Sequence, residues 1–182
     1  DTESGFLYRT GASNGGLQMY NLANPAAPVQ VGSWSDRYVH DAQVVTYTDG
    51  PFAGRQIAFC CAGFSGGHSD TGLTIVDVTN KSNPFVVSQA YYSNAAYSHQ
   101  GWLSEDRKYF YLNDELDEQN FGSTTTTRVM NVEDIENPSF VGTFTSGSSS
   151  IDHNLYTHNG MIFEANYRSG LRVFDASHPT TP

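Results

Sequence analysis

The stretch GLTIVDV at residues 72–78 decides the fold, because the chain carries four versions of it. The counterparts are GLQMYNL at 16–22, TRVMNV at 127–132 and GLRVFDA at 170–176. A proline follows each copy, and these prolines recur at intervals of 44 to 56 residues. Self-similarity at such a period indicates a repeat architecture in which each copy is one structural unit.

Each copy is the third of four predicted strands, which we label A to D in chain order within a repeat. The copy itself is strand C, a β-branched and aromatic run that breaks at Asn or Asp before the proline turn. Strand D follows the turn, strand B precedes strand C, and strand A precedes strand B. The predicted A strands begin at His40, His99 and His153; the B strands are 6–9, 56–60, 109–112 and 161–165; the D strands are 29–34, 85–90 and 140–144.

Four strands in each repeat of this length predict an all-β protein, a β-propeller of four-stranded blades. A linear solenoid is the alternative, but its repeats are usually shorter. The predicted blades cover approximately residues 1–35, 36–92, 93–146 and 147–182 of a single domain. The first lacks strand A and the last lacks strand D, so about three and a half blades are present, fewer than a closed ring needs. We therefore expect the chain to be part of a larger closed propeller, with no amphipathic helix.

The net charge and hydropathy of the chain limit the classes of partner that it can bind. Among 182 residues, 19 are acidic and 9 are basic, which gives a formal net charge of −10. This charge repels phosphate backbones and anionic lipid, so we predict no nucleic-acid partner. No stretch approaches the roughly 18 apolar residues of a spanning helix, so we predict no membrane insertion of this segment.

Three histidines occupy equivalent places in the repeats. Because blade strands alternate in direction, the D-to-A and B-to-C connections lie on one face of the propeller, and strand A lines its channel. His40, His99 and His153 each open a strand A and should therefore ring the channel mouth. Imidazole suits Zn²⁺, which makes the three candidate metal ligands. The alternative is that each ring hydrogen-bonds to the neighbouring blade and fixes its spacing.

An acidic B-to-C connection lies on the same face. It carries Asp114, Glu115, Asp117 and Glu118, and clustered carboxylates suit Ca²⁺. Their spacing does not match an EF-hand loop, and a solvated acidic loop is the alternative. Ca²⁺ and Zn²⁺ are therefore both possible cofactors.

The same face offers candidate ligand-binding residues. Tyr97 and Trp102 could form an aromatic platform for a glycan, and His68 and Asp70 lie in another B-to-C connection. More often, such aromatic residues cap a sheet edge or fill the space between blades. Elsewhere, Asn80 opens an Asn-Lys-Ser sequon, a candidate glycosylation site.

Several of these segments resemble the LVIVD-repeat proteins of the choice-of-anchor B family. The resemblance is carried by residues 38–43, 72–79, 97–106, 114–122, 151–154 and 165–172. It implies a secreted or surface-attached β-propeller and brings no established activity, cofactor or catalytic residue. One departure is that relatives often carry cysteines where this chain has Val44 and Ala58, so the bridge expected there between strands A and B is absent.

These observations together favour an extracellular or cell-surface binding or structural module, with protein or glycan partners at the loop face. One alternative is a metal-dependent hydrolase or lyase that uses the channel-mouth histidines. Another is a subunit of an extracellular assembly or filament, because open blade edges can pair with neighbouring chains.

Overall fold

The computed structural model describes residues 1, 4–12, 15–63 and 69–182. These residues form fourteen strands and one short α-helix, with 3-10 turns at Gly50–Phe52 and Tyr167–Ser169. The strands are β1 (Phe6–Arg9), β2 (Leu17–Asn21), β3 (Val29–Trp34), β4 (Tyr38–Thr46), β5 (Gln56–Gly63), β6 (Thr71–Asp77), β7 (Phe85–Ala90), β8 (Ser98–Leu103), β9 (Tyr109–Asp114), β10 (Thr126–Asn131), β11 (Ser139–Thr145), β12 (Asn154–His158), β13 (Met161–Ala165) and β14 (Leu171–Asp175), and the helix is α1 (Asp117–Phe121).

The strands form four antiparallel sheets in which chain neighbours pair. The first sheet has the order β1-β2-β3, the second β4-β5-β6-β7, the third β8-β9-β10-β11 and the fourth β12-β13-β14. The repeated stretch is the third strand of each full sheet, as predicted. Among the described residues, the first and fourth sheets have three strands each, in agreement with the predicted partial first and last blades.

Side chains that alternate along the strands fill the spaces between sheets. On β5, Phe59 and Cys61 pack towards the third sheet, whereas Ala58 and Cys60 pack towards the first. Because neighbours on a strand point to opposite faces, the two adjacent cysteines cannot bridge each other, and both are free and buried. A third apolar cluster joins the last two sheets through Tyr111, Val129, Phe144, Leu155 and Ile162.

The helix α1 is the one departure from the predicted all-strand pattern among the described residues. It lies in the acidic connection between β9 and β10, and Gly122 ends it with a positive φ of 71°. The Gly122 amide donates to the carbonyl of Glu118 at 3.0 Å. A left-handed glycine is the commonest way to end a helix, and five residues are too few to leave a helical period in the sequence.

Two further features bear on the predictions. Val44 and Ala58 are direct cross-strand partners on β4 and β5, so both apolar side chains lie where a bridge would join these strands. Within the described ranges, no helix has the length and apolar character required to span a membrane.

Candidate functional site

The three repeated histidines form a ladder across the innermost strands. β8 contacts both β4 and β12. The His40 Nδ1 donates to the His99 carbonyl at 2.9 Å, and the His99 Nδ1 donates to the His153 carbonyl at 3.2 Å. The ring centroids are 3.9 Å apart for His40 and His99, and 4.5 Å apart for His99 and His153. Each of these bonds therefore joins one sheet to the next.

This hydrogen bond determines the tautomer of the His99 ring. A backbone carbonyl can only accept, so the proton lies on Nδ1 and the lone pair lies on Nε2. Burial, reinforced by the positive charge that His40 can carry, lowers the pKa of His99 to about 4. The ring is therefore neutral at neutral pH, and its Nε2 is available to a proton donor or a metal ion.

Glu115 faces the free nitrogens of two histidines. Its Oε2 lies 3.2 Å from the His99 Nε2, and its Oε1 lies 3.6 Å from the His153 Nε2. The Tyr167 hydroxyl donates to the Glu115 Oε1, and this bond raises the pKa of Tyr167 to about 12. The Tyr97 ring lies 5.5 Å from the His40 ring and 5.9 Å from the His99 ring, measured between centroids.

The three groups have the separations of a metal-binding set. One ligand atom from each of His99, Glu115 and His153 lies within 4.8 Å of the others. In a tetrahedral zinc site, neighbouring ligand atoms are about 3.3 Å apart, because the metal–ligand bonds are about 2.0 Å. A neutral Nε2 and a carboxylate at this distance repel each other unless a cation or a proton lies between them. Metal-bound histidines typically donate their other N–H to a carbonyl or carboxylate, as His99 does here.

Of the four carboxylates in the acidic connection, Asp114 accepts hydrogen bonds from protein groups at both of its oxygens. Its Oδ2 accepts from the Tyr92 hydroxyl at 2.9 Å and the Ala96 amide at 2.7 Å. Its Oδ1 accepts from the amides of Tyr97 at 2.6 Å and Leu116 at 3.3 Å. Asp114 therefore braces the entry to β8, and it does not join the His99 and His153 set.

Asp117 and Glu118 meet a carboxylate that the sequence pattern did not single out. One oxygen of each lies within 4.8 Å of an Asp152 oxygen, and all three side chains are buried. Asp152 comes just before His153, so an acid beside a repeated histidine was the available signal. Burial, followed by a side-chain hydrogen bond with Asp117 and then by the charge of Asp117, raises the pKa of Glu118 to about 8. Burial, followed by the charge of Glu118, raises the pKa of Asp152 well above its usual range.

The candidate ligand-binding residues contact different groups of the protein. Trp102 packs against Tyr156 with ring centroids 4.8 Å apart, whereas Tyr97 lies beside the histidine ladder. Asp70 forms an ion pair of 3.1 Å with Arg37. Hydrogen bonds from Tyr91 and then from Arg37 lower the pKa of Asp70 to about 2.

Two candidates remain, His68 and Asn80. His68 lies outside the described residues. Asn80 is exposed in the turn between β6 and β7, where its Oδ1 accepts from the Ser82 hydroxyl at 2.8 Å.

Comparison with known proteins identifies one repeat and a shared fold. The family described as LVIVD repeat matches residues 67–90, which include β6 and β7. No curated protein matches the chain. The solved structures named below are at most 12% identical to this chain, so their likeness concerns the fold alone.

Three solved structures cover nearly all of the chain. A protein from Lactobacillus plantarum is 12% identical with a TM-score of 0.68, over 97% of this chain and 52% of that one. A nidogen/laminin complex is 6% identical with a TM-score of 0.57, over 95% and 56%. A functionally unknown protein from Desulfotomaculum acetoxidans is 8% identical with a TM-score of 0.50, over 94% and 62%. The chain thus spans just over half the length of the first two.

The sheets and these likenesses define the class of the protein. The chain is an all-β part of a β-propeller, and its described residues form antiparallel sheets of three or four strands. Within that propeller, it carries an LVIVD repeat.

Proposed function

We propose that this chain is a β-propeller binding module with a metal site for Zn²⁺ at the channel mouth. His99, His153 and Glu115 are the protein ligands. The observation that carries the proposal is the convergence of two histidine Nε2 atoms on one carboxylate, at 3.2 and 3.6 Å.

The surroundings of this site favour a metal over an ordinary ion pair. The low pKa of His99 leaves it uncharged, so its contact with Glu115 gains little as a salt bridge. The side chains of His153 and Glu115 are 29% and 21% exposed, so an ion and a further ligand can reach them from solvent. Two imidazoles and one carboxylate are a common zinc ligand set.

A titration of the chelator-treated chain with Zn²⁺ tests this site. We expect one Zn²⁺ per chain by calorimetry, and visible absorption typical of tetrahedral coordination when Co²⁺ replaces Zn²⁺. Glu115→Gln keeps the shape of the side chain but removes its charge, and His153→Gln removes a nitrogen ligand. Each should weaken Zn²⁺ binding at least about tenfold, the scale on which the immediate surroundings of a metal act.

His158→Gln is the matched control, because His158 is an exposed histidine on β12, the strand that begins directly after His153. It should leave the affinity unchanged. Binding that survives both Glu115→Gln and His153→Gln, or no stoichiometric binding at all, would refute the metal centre. The histidines would then be blade-to-blade hydrogen bonders only.

A hydrolase is the second candidate function. Three protein ligands leave a fourth coordination position for water, the arrangement found in catalytic zinc sites. Metal-dependent turnover of a chromogenic ester that is lost in Glu115→Gln would favour this enzyme. Zn²⁺ binding without turnover would favour the binding module.

We also propose an extracellular or cell-surface position and membership of the choice-of-anchor B family. The resemblance of residues 97–106 and 114–122 to that family supports this proposal, and these segments carry His99 and Glu115. One structure with a similar fold is a nidogen/laminin complex, and we propose by analogy with it that the loop face of this chain binds a protein partner.

A further inference from the structure

We propose that Asp117, Glu118 and Asp152 form a second, buried metal site that takes Ca²⁺ and joins the third sheet to the fourth. Asp117 and Glu118 belong to α1, in the connection between β9 and β10. Asp152 lies two residues before the start of β12, the first strand of the fourth sheet. The site uses oxygen ligands only and shares no residue with the proposed zinc centre.

Burial separates this cluster from an ordinary acidic surface. The exposed fractions of Asp117, Glu118 and Asp152 are 1%, 8% and 0%. One oxygen from each carboxylate lies within 4.8 Å of the others. Like charges this close and this far from water repel strongly, so a cation or protons must compensate them.

Four oxygens in the cluster accept no hydrogen bond when all three carboxyl groups are ionised. They are both carboxylate oxygens of Asp152, the Oδ1 of Asp117 and the Oε2 of Glu118. Asp152 is the decisive member, because its side chain is wholly buried and directed at the other two. Buried polar atoms are nearly always satisfied, so this concentration of free acceptors points to a ligand that accepts their lone pairs.

The other oxygens of the cluster are used by the protein. The Asp117 Oδ2 accepts from the Arg128 Nη2 at 2.6 Å and the Ser123 hydroxyl at 2.9 Å. The Glu118 Oε1 accepts from the Asp152 amide at 3.2 Å. These bonds orient Asp117 and Glu118 with one oxygen held and the other directed at the cluster, whereas both oxygens of Asp152 accept no hydrogen bond.

The charge of the cluster matches a divalent ion. Arg128 compensates one of the three carboxylates through Asp117 and approaches the Asp152 Oδ2 only at 3.7 Å, beyond hydrogen-bond range. When all three carboxyl groups are ionised, as they are when they bind a cation, two negative charges therefore remain. Carboxylate oxygens select hard cations, and Ca²⁺ accepts irregular, partly bidentate coordination, whereas Mg²⁺ demands octahedral geometry and gives up its water reluctantly.

Thermal unfolding of the chelator-treated chain tests the site. Calcium at a hundredfold excess over its dissociation constant should raise Tm by about 5–10 °C. Asp152→Asn should abolish this response. In EDTA, the same variant should be at least as stable as the parent chain, because it removes a buried charge that no ion compensates. Glu118→Gln provides a second, independent variant with the same expected loss of the calcium response.

Asp134→Asn is the control, since Asp134 is an exposed acid in a turn and should not alter the calcium response. The site is refuted if calcium leaves the parent Tm unchanged, or if Asp152→Asn and Glu118→Gln both keep the full response. It is also refuted if Asp152→Asn lowers Tm equally with and without calcium, which would make Asp152 a structural partner of Arg128. A larger response to Mg²⁺ would refute calcium as the ion. Zn²⁺ binding is measured separately, so either site can fail alone.

Discussion

Asp114 is a buried carboxylate whose lone pairs are used by four protein donors. Three of these donors are the backbone amides of Ala96, Tyr97 and Leu116, and the fourth is the Tyr92 hydroxyl. The residue thereby holds the segment before β8, which presents Tyr97 and His99 to the channel mouth. A backbone amide cannot reverse its role as a donor, so the site requires an acceptor at both carboxylate oxygens.

We predict that Asp114→Asn destabilises the fold by about 2 kcal/mol, because the new amide group faces the N–H of a backbone donor. Urea unfolding of the variant and the parent chain measures this difference. Asp134→Asn is the comparison, since the exposed Asp134 keeps its Oδ1 bond to the Glu136 amide and should change stability by less than about 0.5 kcal/mol. Equal stability of the two variants would contradict the bracing role of Asp114.

At the residue scale, the sequence predicted the repeated histidines and the acidic connection, but it did not predict which residues contact them. The histidines were predictable because repetition assigns them equivalent places, and Glu115 because it lies in a connection on the same face. Asp152 was missed because it approaches α1 only when the third and fourth sheets pack together, and Arg128 was missed although it lies on β10, the strand that follows α1. The sequence leaves the acidic loop as either solvated or calcium-binding, and its burial depends on tertiary contacts that no local pattern records.

At the element scale, the middle of each D strand contacts the turn between strands C and D of the next sheet. On β7, the Ser88 hydroxyl donates to the Ile135 carbonyl at 2.5 Å. On β3, Gly32 takes the corresponding place, and a Cβ there would lie 1.6 Å from the Lys81 carbonyl oxygen. The strand pattern was predictable from the repeat, but this close approach was not, because it depends on the spacing of the sheets.

We predict that Gly32→Ala destabilises the chain by at least about 2 kcal/mol, because backbone must move to admit the methyl group. Gly142 offers a matched control on β11, where an added Cβ would meet the Thr180 carbonyl oxygen at an ordinary 3.9 Å. Gly142→Ala should be neutral or slightly stabilising, since alanine restricts the unfolded chain. Thermal unfolding of both variants and the parent chain measures these changes in stability. A Gly32→Ala variant as stable as the parent would show that the first two sheets are less tightly packed than this contact indicates.

At the scale of the whole molecule, the outer face of the fourth sheet is apolar and uncovered among the described residues. Leu171 and Val173 are 64% and 47% exposed. In the repeat, they correspond to Leu73 and Ile75, which are fully buried between the second and third sheets. The fourth sheet therefore presents to solvent the side chains with which a sheet of this protein packs against its neighbour.

We propose that this face drives self-association of the 182-residue chain. Contiguous exposed apolar surface marks an interaction site. The sheet also ends in an edge strand, whose free backbone groups can pair with a second chain. Sedimentation velocity should show a weight-average coefficient that rises with protein concentration. The double variant Leu171→Lys with Val173→Lys should shift the chain towards the monomer, since each lysine must stay hydrated. Phe85→Lys with Val86→Lys adds the same charge on the exposed strand β7 and should leave association unchanged. A parent chain that remains monomeric throughout, or association that the β7 variant abolishes equally, would exclude the fourth sheet as the contact surface.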